Sequence, residues 1–305
     1  MNIASIAGFT NLGYRLHARK FDPIEADMGG RTVLVTGATG GLGLQTATTL
    51  ADLGARVIIV GRSAAKLEAA QSQGGGRFVL ERADLSLLGE VRQLADRIVQ
   101  REDHIDLLVN NVGVLLPERK VTDEGLEKTF ATDLAGQFLL TNLLLAALTR
   151  SGSSRVVNVS SGGMYSARID PEDLQFDKRE YKGTAAYASA KRGQVILTEL
   201  WAERFPDKEV VFHAMHPGWV DTQGVAGALP TFDKVMKPFL RTPAQGADTM
   251  VWLSVAEPPG LTSGGFWFDR SQVPTHLTDK TRETPDDRER LWSRLVELTD
   301  SDAVV

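Results

Sequence analysis

The sequence contains no cysteine, and this absence excludes several kinds of site at once. Disulfides, iron–sulfur clusters, thiolate zinc sites and cysteine nucleophiles all need a thiol. The sequence also lacks a run of about 20 apolar residues, the length that spans a bilayer. Its first residues do not have the basic and apolar pattern of a secretory signal, so we expect a cytoplasmic protein.

An excess of positive charge is absent as well. Lysine and arginine total 34, against 39 for aspartate and glutamate, which gives a net charge of −5. Affinity for nucleic acids depends on basic side chains that neutralise phosphates, so we expect no nucleic-acid partner. The remaining composition is typical of a globular protein: 305 residues allow one or two domains, and 42% are hydrophobic.

Apolar segments and helical segments alternate from residue 31 onward. The predicted strands cover residues 32–36, 56–60, 78–80, 105–109, 155–159 and 210–213. The predicted helices cover a stretch ending near residue 53 and then residues 64–72, 86–101, 123–150 and 185–204. The strand segments do not alternate with polar residues, so each strand has both faces covered.

This pattern predicts an α/β fold, a single doubly wound parallel sheet of the Rossmann type with helices on both faces. We assign it to residues 31–270, preceded by an extension of residues 1–30 and followed by a tail of residues 271–305. In the extension, Phe9, Leu12 and Leu16 have the spacing of a short amphipathic helix. We favour packing on the protein's own core or on a second subunit over attachment to a membrane surface.

A glycine-rich turn joins the first predicted strand to the first helix. Residues 36–43 read T-G-A-T-G-G-L-G, and glycine lets the backbone turn sharply and approach a ligand closely. The amino terminus of the following helix is a site for pyrophosphate. The candidate residues are Gly37, Thr39, Gly41, Leu42 and Gly43. A plain strand-to-helix turn is the alternative, and four glycines within residues 37–43 argue against it.

The end of the second strand indicates which nicotinamide cofactor is used. An acidic residue there would hold the ribose 2′-hydroxyl of NAD, whereas an arginine accommodates the 2′-phosphate of NADP. Arg62 is present and no acidic residue stands at the strand end. We therefore expect NADP(H) rather than NAD(H), with a solvent-facing arginine as the alternative.

Further motifs follow the later strands in order. These are N-N-V-G at residues 110–113, S-S at 160–161, Y-A-S-A-K at 187–191 and P-G-W-V-D-T at 217–222. Together they resemble the short-chain dehydrogenase/reductase superfamily over roughly residues 30–270. Residues 160–165, 173–175 and 215–219 resemble its retinol-dehydrogenase-like branch, and within it the type called dehydrogenase/reductase member twelve.

The resemblance implies an NAD(P)-dependent oxidoreductase that interconverts a carbonyl and an alcohol on a small molecule. It gives Tyr187 the role of acid and base, Lys191 that of its partner, and Ser161 that of substrate anchor. The remaining cofactor positions that it implies are Asp84 and Leu85 at the adenine, Asn110 and Val112 at the adenosine ribose, and Val220 and Thr222 at the carboxamide and phosphates.

The chemistry explains why these residue types are needed. Free tyrosine has a pKa near 10, and a neighbouring cation favours its phenolate. Lys191 follows Tyr187 by four residues and so shares its helix face. Lys191 can also donate to the nicotinamide ribose, and Ser161 can donate to the developing alkoxide.

Two positions depart from the family's pattern. Asp133 stands where asparagine is usual in F-x-x-N-x-x-G, and Val112 stands where alanine is usual. The asparagine holds a water linked to the lysine, and an ionised aspartate can accept hydrogen bonds there but cannot donate them. We hypothesise that the proton relay survives with altered pH dependence; an inert helix residue is the alternative.

The substrate side is harder to interpret. Residues 162–183 form an insertion, and residues 219–241 contain an apolar segment that we interpret as a lid, with glycines at 224 and 227 as hinges. Such a lid favours an apolar carbonyl or alcohol, and packing on the core or on another subunit is the alternative. We expect no metal, because His213 and His216 have no cysteine partners. We also expect a homo-oligomer.

Two other functions remain open. An NADP-binding regulatory or scaffold protein with little turnover would fit Asp133 but not the intact Ser161, Tyr187 and Lys191. A nucleotide-sugar epimerase or dehydratase shares the fold, but only about 35 residues follow the predicted domain, too few for the larger carboxyl-terminal substrate domain usual in such enzymes.

Overall fold

The computed structural model describes residues 8–206, 209–221, 234–256 and 262–302. Within these ranges eight strands form one sheet in the order β3-β2-β1-β4-β5-β6-β7-β8. The strands are β1 (Thr32–Thr36), β2 (Arg56–Gly61), β3 (Phe78–Arg82), β4 (Leu107–Asn110), β5 (Ser154–Val159), β6 (Val210–Met215), β7 (Gly265–Phe268) and β8 (Ser271–Gln272). All neighbours pair in parallel except β7 and β8, which are antiparallel. The predicted doubly wound parallel sheet is confirmed.

Helices cover both faces of this sheet. They are α1 (Asn11–His17), α2 (Gly41–Asp52), α3 (Ala64–Gln73), α4 (Leu88–Arg101), α5 (Lys128–Thr149), α6 (Gly183–Arg204), α7 (Pro243–Val255) and α8 (Pro285–Thr299). On one face α2, α3 and α7 pack on the strands, and on the other α4, α5, α6 and α8 do so. Every residue of β1 is buried, as expected for a strand covered on both faces.

The central helix α5 begins later than the predicted 123–150. The carboxylate of Glu127 accepts hydrogen bonds from the backbone N–H groups of Thr129 and Phe130, which caps the helix start. By length and composition α5 could span a membrane, but 89% of its most apolar window is buried inside the protein. It contains a π-helical turn, Ala131–Ala135, which is a feature often found at functional sites.

The amino-terminal segment forms the predicted helix but with a different buried set. Thr10 caps α1, so Phe9 precedes the helix. The direction of the Phe9 side chain is therefore not set by helical spacing. Phe9 is buried, whereas Leu12 is 59% and Leu16 is 52% exposed. Phe9 therefore packs on the protein's own core, whereas Leu12 and Leu16 do not, and packing on a second subunit stays a prediction.

The carboxyl ends of the parallel strands meet at one edge of the sheet. The segments that follow β1, β4, β5 and β6 carry the glycine-rich turn, Asn111, Ser161 and Pro217 respectively. The tyrosine–lysine pair enters the same edge from the first turns of α6. Ligands of open α/β sheets bind at this edge, so these groups define the candidate site.

Candidate active site

The turn between β1 and α2 leaves an open helix amino terminus. Gly37 and Gly41 have φ of 64° and 55°, a conformation that L side chains rarely adopt. A Cβ on Gly37 would also lie 2.9 Å from the Val112 Cα. Gly40 caps α2 without a side-chain hydrogen bond, and a Cβ there would meet nothing within 4 Å. The exposed N–H groups and the space above them fit a pyrophosphate.

Two polar side chains hold this turn against β4. The Thr36 hydroxyl accepts hydrogen bonds from the backbone N–H groups of Asn111 (3.0 Å) and Val112 (3.1 Å). The Asn111 amide donates to the carbonyl oxygens of Thr36 (2.8 Å) and Gly37 (3.2 Å). Gly43 packs below, since a Cβ there would lie 2.5 Å from the Asn111 Nδ2. Asn111 belongs to the N-N-V-G motif, but the motif alone did not indicate that its side chain holds the turn.

The glycine-rich turn and the carboxyl ends of β1, β2 and β4 border a region that we call the groove. Arg62 is exposed at its rim, directly after β2. A Cβ on Gly61 would overlap the Thr39 methyl group, so Thr39 and the end of β2 are in contact. Arg82 is also exposed, and its Nε donates to the Arg62 carbonyl oxygen at 3.3 Å. Thr39 therefore packs against Gly61, the residue that precedes Arg62 in the chain.

Asp84 and Leu85 lie where the chain leaves β3. Burial raises the pKa of Asp84, but hydrogen bonds from Ser86 and the charges of Lys128 and Arg62 outweigh it, so its pKa is lowered. The carboxylate accepts the Ser86 hydroxyl at 2.7 Å. The Leu85 side chain is buried, and its carbonyl oxygen approaches α5 at Gly136, where a Cβ would overlap it.

Asn110 does not face the groove. Its side chain is fully buried, and its Nδ2 donates to the Thr141 Oγ1 and to the Asn158 Oδ1, both at 2.9 Å. It therefore joins β4 to α5 and β5 from inside the core. The implied place beside the adenosine ribose does not fit this position.

The Val112 backbone, by contrast, lies at the groove and is held on both sides. Its N–H donates to Thr36, and its carbonyl oxygen accepts from the Gln137 Nε2 at 2.6 Å. Gly113 is exposed next to it, and a Cβ there would lie 3.1 Å from the Lys191 Nζ and 3.3 Å from the Asp133 Oδ2. A side chain at residue 113 would therefore crowd the Lys191 ammonium and the Asp133 carboxylate.

Tyr187 and Ser161 meet above the end of β5. The Ser161 Oγ accepts the Gly163 N–H at 3.2 Å. Burial, and then the charge of Asp133, raise the pKa of Tyr187, while the nearby Ser161 hydroxyl lowers it. The phenol is therefore protonated over the whole neutral range in the protein alone.

Lys191 is fixed between three elements. Its Nζ donates to the carbonyl oxygen of Val159 at the end of β5 (2.9 Å), and it lies 3.8 Å from the Asp133 Oδ2 on α5. The Ser160 hydroxyl donates to the Lys191 carbonyl oxygen, which ties the same strand end to α6. The Nζ is 5.5 Å from the centre of the Tyr187 ring.

Asp133 is the most strongly perturbed carboxylate of this group. It is 0% exposed, and burial raises its pKa to about 7 against the opposing charge of Lys191. Its Oδ1 accepts the Val114 N–H at 2.7 Å. In the described part of the chain, its Oδ2 has no hydrogen-bond donor. Burial likewise lowers the pKa of Lys191, against the effect of Asp133.

The loop after β6 borders the site on the remaining side. Val220 is buried, and a Cβ on Gly246 of α7 would contact both Val220 and Leu42, so these two predicted residues share a packing site. Thr222 and most of the predicted lid, residues 222–233, lie outside the described residues. At its far end Leu240 is buried and Phe239 is exposed.

The insertion and the histidines also have defined surroundings. Residues 162–183 bury Ile169, Leu174 and Phe176 and form, with the start of α6, the wall of a cavity of about 510 Å³. Burial lowers the pKa of His213 and of His216 to about 3. No cluster of three ligating side chains suited to a metal occurs among the residues described.

The chain is similar to known proteins in sequence and in fold. Residues 31–231 match the family described as short chain dehydrogenase. "Dehydrogenase/reductase SDR family member 12" of Bos taurus is 38% identical, covering 95% of this chain and 93% of the relative. Retinol dehydrogenase 13 of Homo sapiens is 32% identical, covering 92% and 88%. A crystal structure of an uncharacterized protein from Mycobacterium paratuberculosis has a TM-score of 0.75 at 29% identity, covering 92% and 97%.

The raised pKa of Asp133 makes stability depend on pH. The folded protein keeps this proton up to about pH 7, whereas the unfolded chain releases it in the ordinary carboxylate range. Between these limits the folded state binds more protons, so stability falls as the pH rises. From pH 5 to pH 7 the free energy of unfolding should fall by on the order of 2 kcal/mol more than in Asp133→Asn.

Urea unfolding of both proteins at the two pH values measures this difference. Asp96→Asn, on the exposed side of α4, is the matched control and should keep the pH dependence of the unaltered protein. A parallel dependence in Asp133→Asn would show that the carboxyl group ionises normally.

Proposed function

The chain belongs to the short-chain dehydrogenase family, and from this membership we propose that it interconverts a carbonyl and an alcohol with NADP(H), using Tyr187, Lys191 and Ser161. The observation that carries the proposal is the position of Tyr187, whose ring centre lies 5.5 Å from the Nζ of the buried Lys191 and whose hydroxyl has Ser161 nearby. These three groups face the edge of the sheet at which the glycine-rich turn opens.

The residues have separate tasks in this proposal. The nicotinamide, when bound, supplies or accepts the hydride. Ser161 donates a hydrogen bond to the substrate oxygen and so stabilises the negative charge that develops on it. Tyr187 gives its hydroxyl proton to that oxygen during reduction and takes a proton from the alcohol during oxidation.

In this proposal Lys191 lowers the pKa of the Tyr187 phenol, so that its proton can be transferred. Burial and Asp133 hold the pKa of Tyr187 high in the protein alone. The lysine ammonium and a bound cofactor's positive charge both favour the phenolate, so the proton becomes transferable when the site is complete. Among the residues that the structure describes, the Nζ of Lys191 donates to the Val159 carbonyl oxygen alone, so it has donors left for ribose hydroxyl groups.

The substrate that we propose is an apolar carbonyl or alcohol. Trp219 lies at the start of the predicted lid, next to the buried Val220, and Phe239 is exposed at its end. Water exclusion by such side chains would strengthen the hydrogen bond from Ser161.

The homo-oligomeric state, the cytoplasmic location and the domain boundaries stay predictions.

Nucleotide titration followed by a carbonyl panel tests the function. NADPH should bind, and with it the protein should reduce at least one apolar ketone or aldehyde. Tyr187→Phe should lower kcat by about 10³-fold, because the proton donor is lost, while NADPH binding stays within about two-fold.

Tyr181→Phe is the matched control, because it removes a partly buried hydroxyl group that bonds Thr129 and Glu127 instead. It should retain activity. Failure to bind either nucleotide would refute the proposal, and binding without turnover over a broad panel would favour the regulatory alternative.

The cofactor preference rests on Arg62. Replacing it with aspartate removes a cation at the 2′-phosphate and adds an anion, so Arg62→Asp should raise the Kd of NADPH by about 100-fold. The Kd of NADH should change by less than about three-fold. Equilibrium titration of both nucleotides measures the ratio.

Lys66→Asp makes the same charge change at an exposed position of α3 and serves as the control. If Arg62→Asp weakens both nucleotides equally, the NADP assignment is wrong.

We propose that Asp133 belongs to the proton relay, with a pH dependence that asparagine would not give. Its carboxyl group titrates near pH 7, and its charge raises the pKa of Tyr187. The profile of kcat/KM against pH should therefore lose a step near neutrality in Asp133→Asn, and its tyrosine limb should move to lower pH. An unchanged profile would remove Asp133 from the mechanism.

A further inference from the structure

The amino-terminal segment, residues 8–17, is bonded to the loop that follows β6. The Trp219 N–H donates to the carbonyl oxygen of Phe9 at 2.9 Å. The Arg241 guanidinium donates to the carbonyl oxygens of Gly8 (2.8 Å), Phe9 (3.1 Å) and Thr10 (3.2 Å). These contacts join positions more than 200 residues apart in the sequence.

Arg241 is itself fully occupied. It is 1% exposed and forms a bidentate pair with Asp269 at 2.6 and 2.8 Å. It also donates to the carbonyl oxygen of Pro217 at 3.3 Å. Gly218 passes so close that a Cβ there would lie 2.6 Å from the Arg241 Nε. A buried guanidinium with this many fixed partners holds the segment and the loop in one arrangement.

The Phe9 ring lies between the loop that follows β6 and the turn formed by Ser161 and Gly162. Its centre lies 5.0 Å from that of His216, 5.8 Å from that of Trp219 and 5.4 Å from that of Phe268, all edge to face. A Cβ on Gly162, the residue after Ser161, would lie 3.2 Å from the Phe9 Cε2. Phe9 therefore backs the proposed substrate anchor on one side and Trp219 on the other.

The described residues on both sides of residues 222–233 contact the amino-terminal segment. Val220 and Arg241 form a parallel bridge, in which the Arg241 N–H donates to Trp219 and the Asp221 N–H donates to Arg241. The Asn11 Nδ2 donates to the carbonyl oxygen of Pro238 at 3.1 Å. The amino-terminal segment thus supports the substrate side of the site from behind.

We infer that Phe9 is a positioning residue of the active site, which sets the distance between Ser161 and Trp219 and thereby the size of carbonyl compound accepted. The inference rests on the proposed function. The glycine-rich turn and Arg62 make none of these contacts, so substrate fit and nucleotide binding can be measured apart.

The experiment compares Phe9→Ala with the unaltered full-length protein. For the largest carbonyl compound turned over in the panel, KM should rise by about 10-fold, because the wall formed by Trp219 loses its support. For the smallest compound turned over, KM should change by less than two-fold. The NADPH Kd should also stay within two-fold.

Leu12→Ala is the matched control, an apolar truncation on the same segment at an exposed position. It should leave both KM values unchanged. Phe9→Leu keeps much of the apolar volume and should give a KM between those of the other two proteins. If Phe9→Ala fails to fold by circular dichroism, Phe9→Leu carries the test, with a KM shift confined to the large compound.

The outcomes separate the two proposals. An unaltered protein that turns over nothing overturns the proposed function and this inference with it. Turnover with identical kinetics in the unaltered protein and the Phe9 variant overturns the inference alone. An equal loss for large compound, small compound and NADPH also overturns it, because it would show a general loss of structure.

Discussion

A buried lysine ammonium is the constraint on which the catalytic side of this protein depends. Lys191 is 2% exposed, and removing its charge from water is costly unless polar partners surround it. Its partners come from two other elements: the Val159 carbonyl oxygen from the end of β5 and Asp133 from the π-helical turn of α5. Satisfying this one charge therefore fixes α5, α6 and β5 against one another, and with them Tyr187 and Ser161.

A second buried cation organises the opposite side. Arg241 has hydrogen-bond acceptors for all its nitrogens, drawn from the amino-terminal segment, the loop after β6 and Asp269. The two cations differ in what they leave open. Arg241 is saturated and holds structure, whereas the Asp133 Oδ2 beside Lys191 has no donor among the described residues. A buried polar atom without a partner is where a water or ligand is expected, which suits the side for which we propose proton transfer.

Much of the fold followed from local pattern. Continuous apolar strands separated by helices predict a parallel sheet, and the carboxyl ends of parallel strands bring separate motifs to one edge. Thr39 does contact the end of β2 there, at Gly61, the residue before Arg62, and Tyr187, Lys191 and Ser161 lie together. Asn110 shows the limit of a motif, because its position at a strand end says nothing about whether its side chain faces the groove or the core. Only the neighbouring strands and α5 decide that it faces inward.

The sequence by itself determined the sheet and the glycine-rich turn, since periodicity and motif spacing are local properties of the chain, and its resemblance to a family supplied the proposed reactive side chains. Tertiary structure alone decided which residues of the extension are buried, that Asp133 sits beside Lys191, and that Phe9 lies against Gly162 and Trp219. These contacts join segments far apart in the chain, and their formation depends on burial and charge compensation in the folded state. A pKa near 7 for a carboxyl group is the clearest case, because it exists only once folding has removed Asp133 from water.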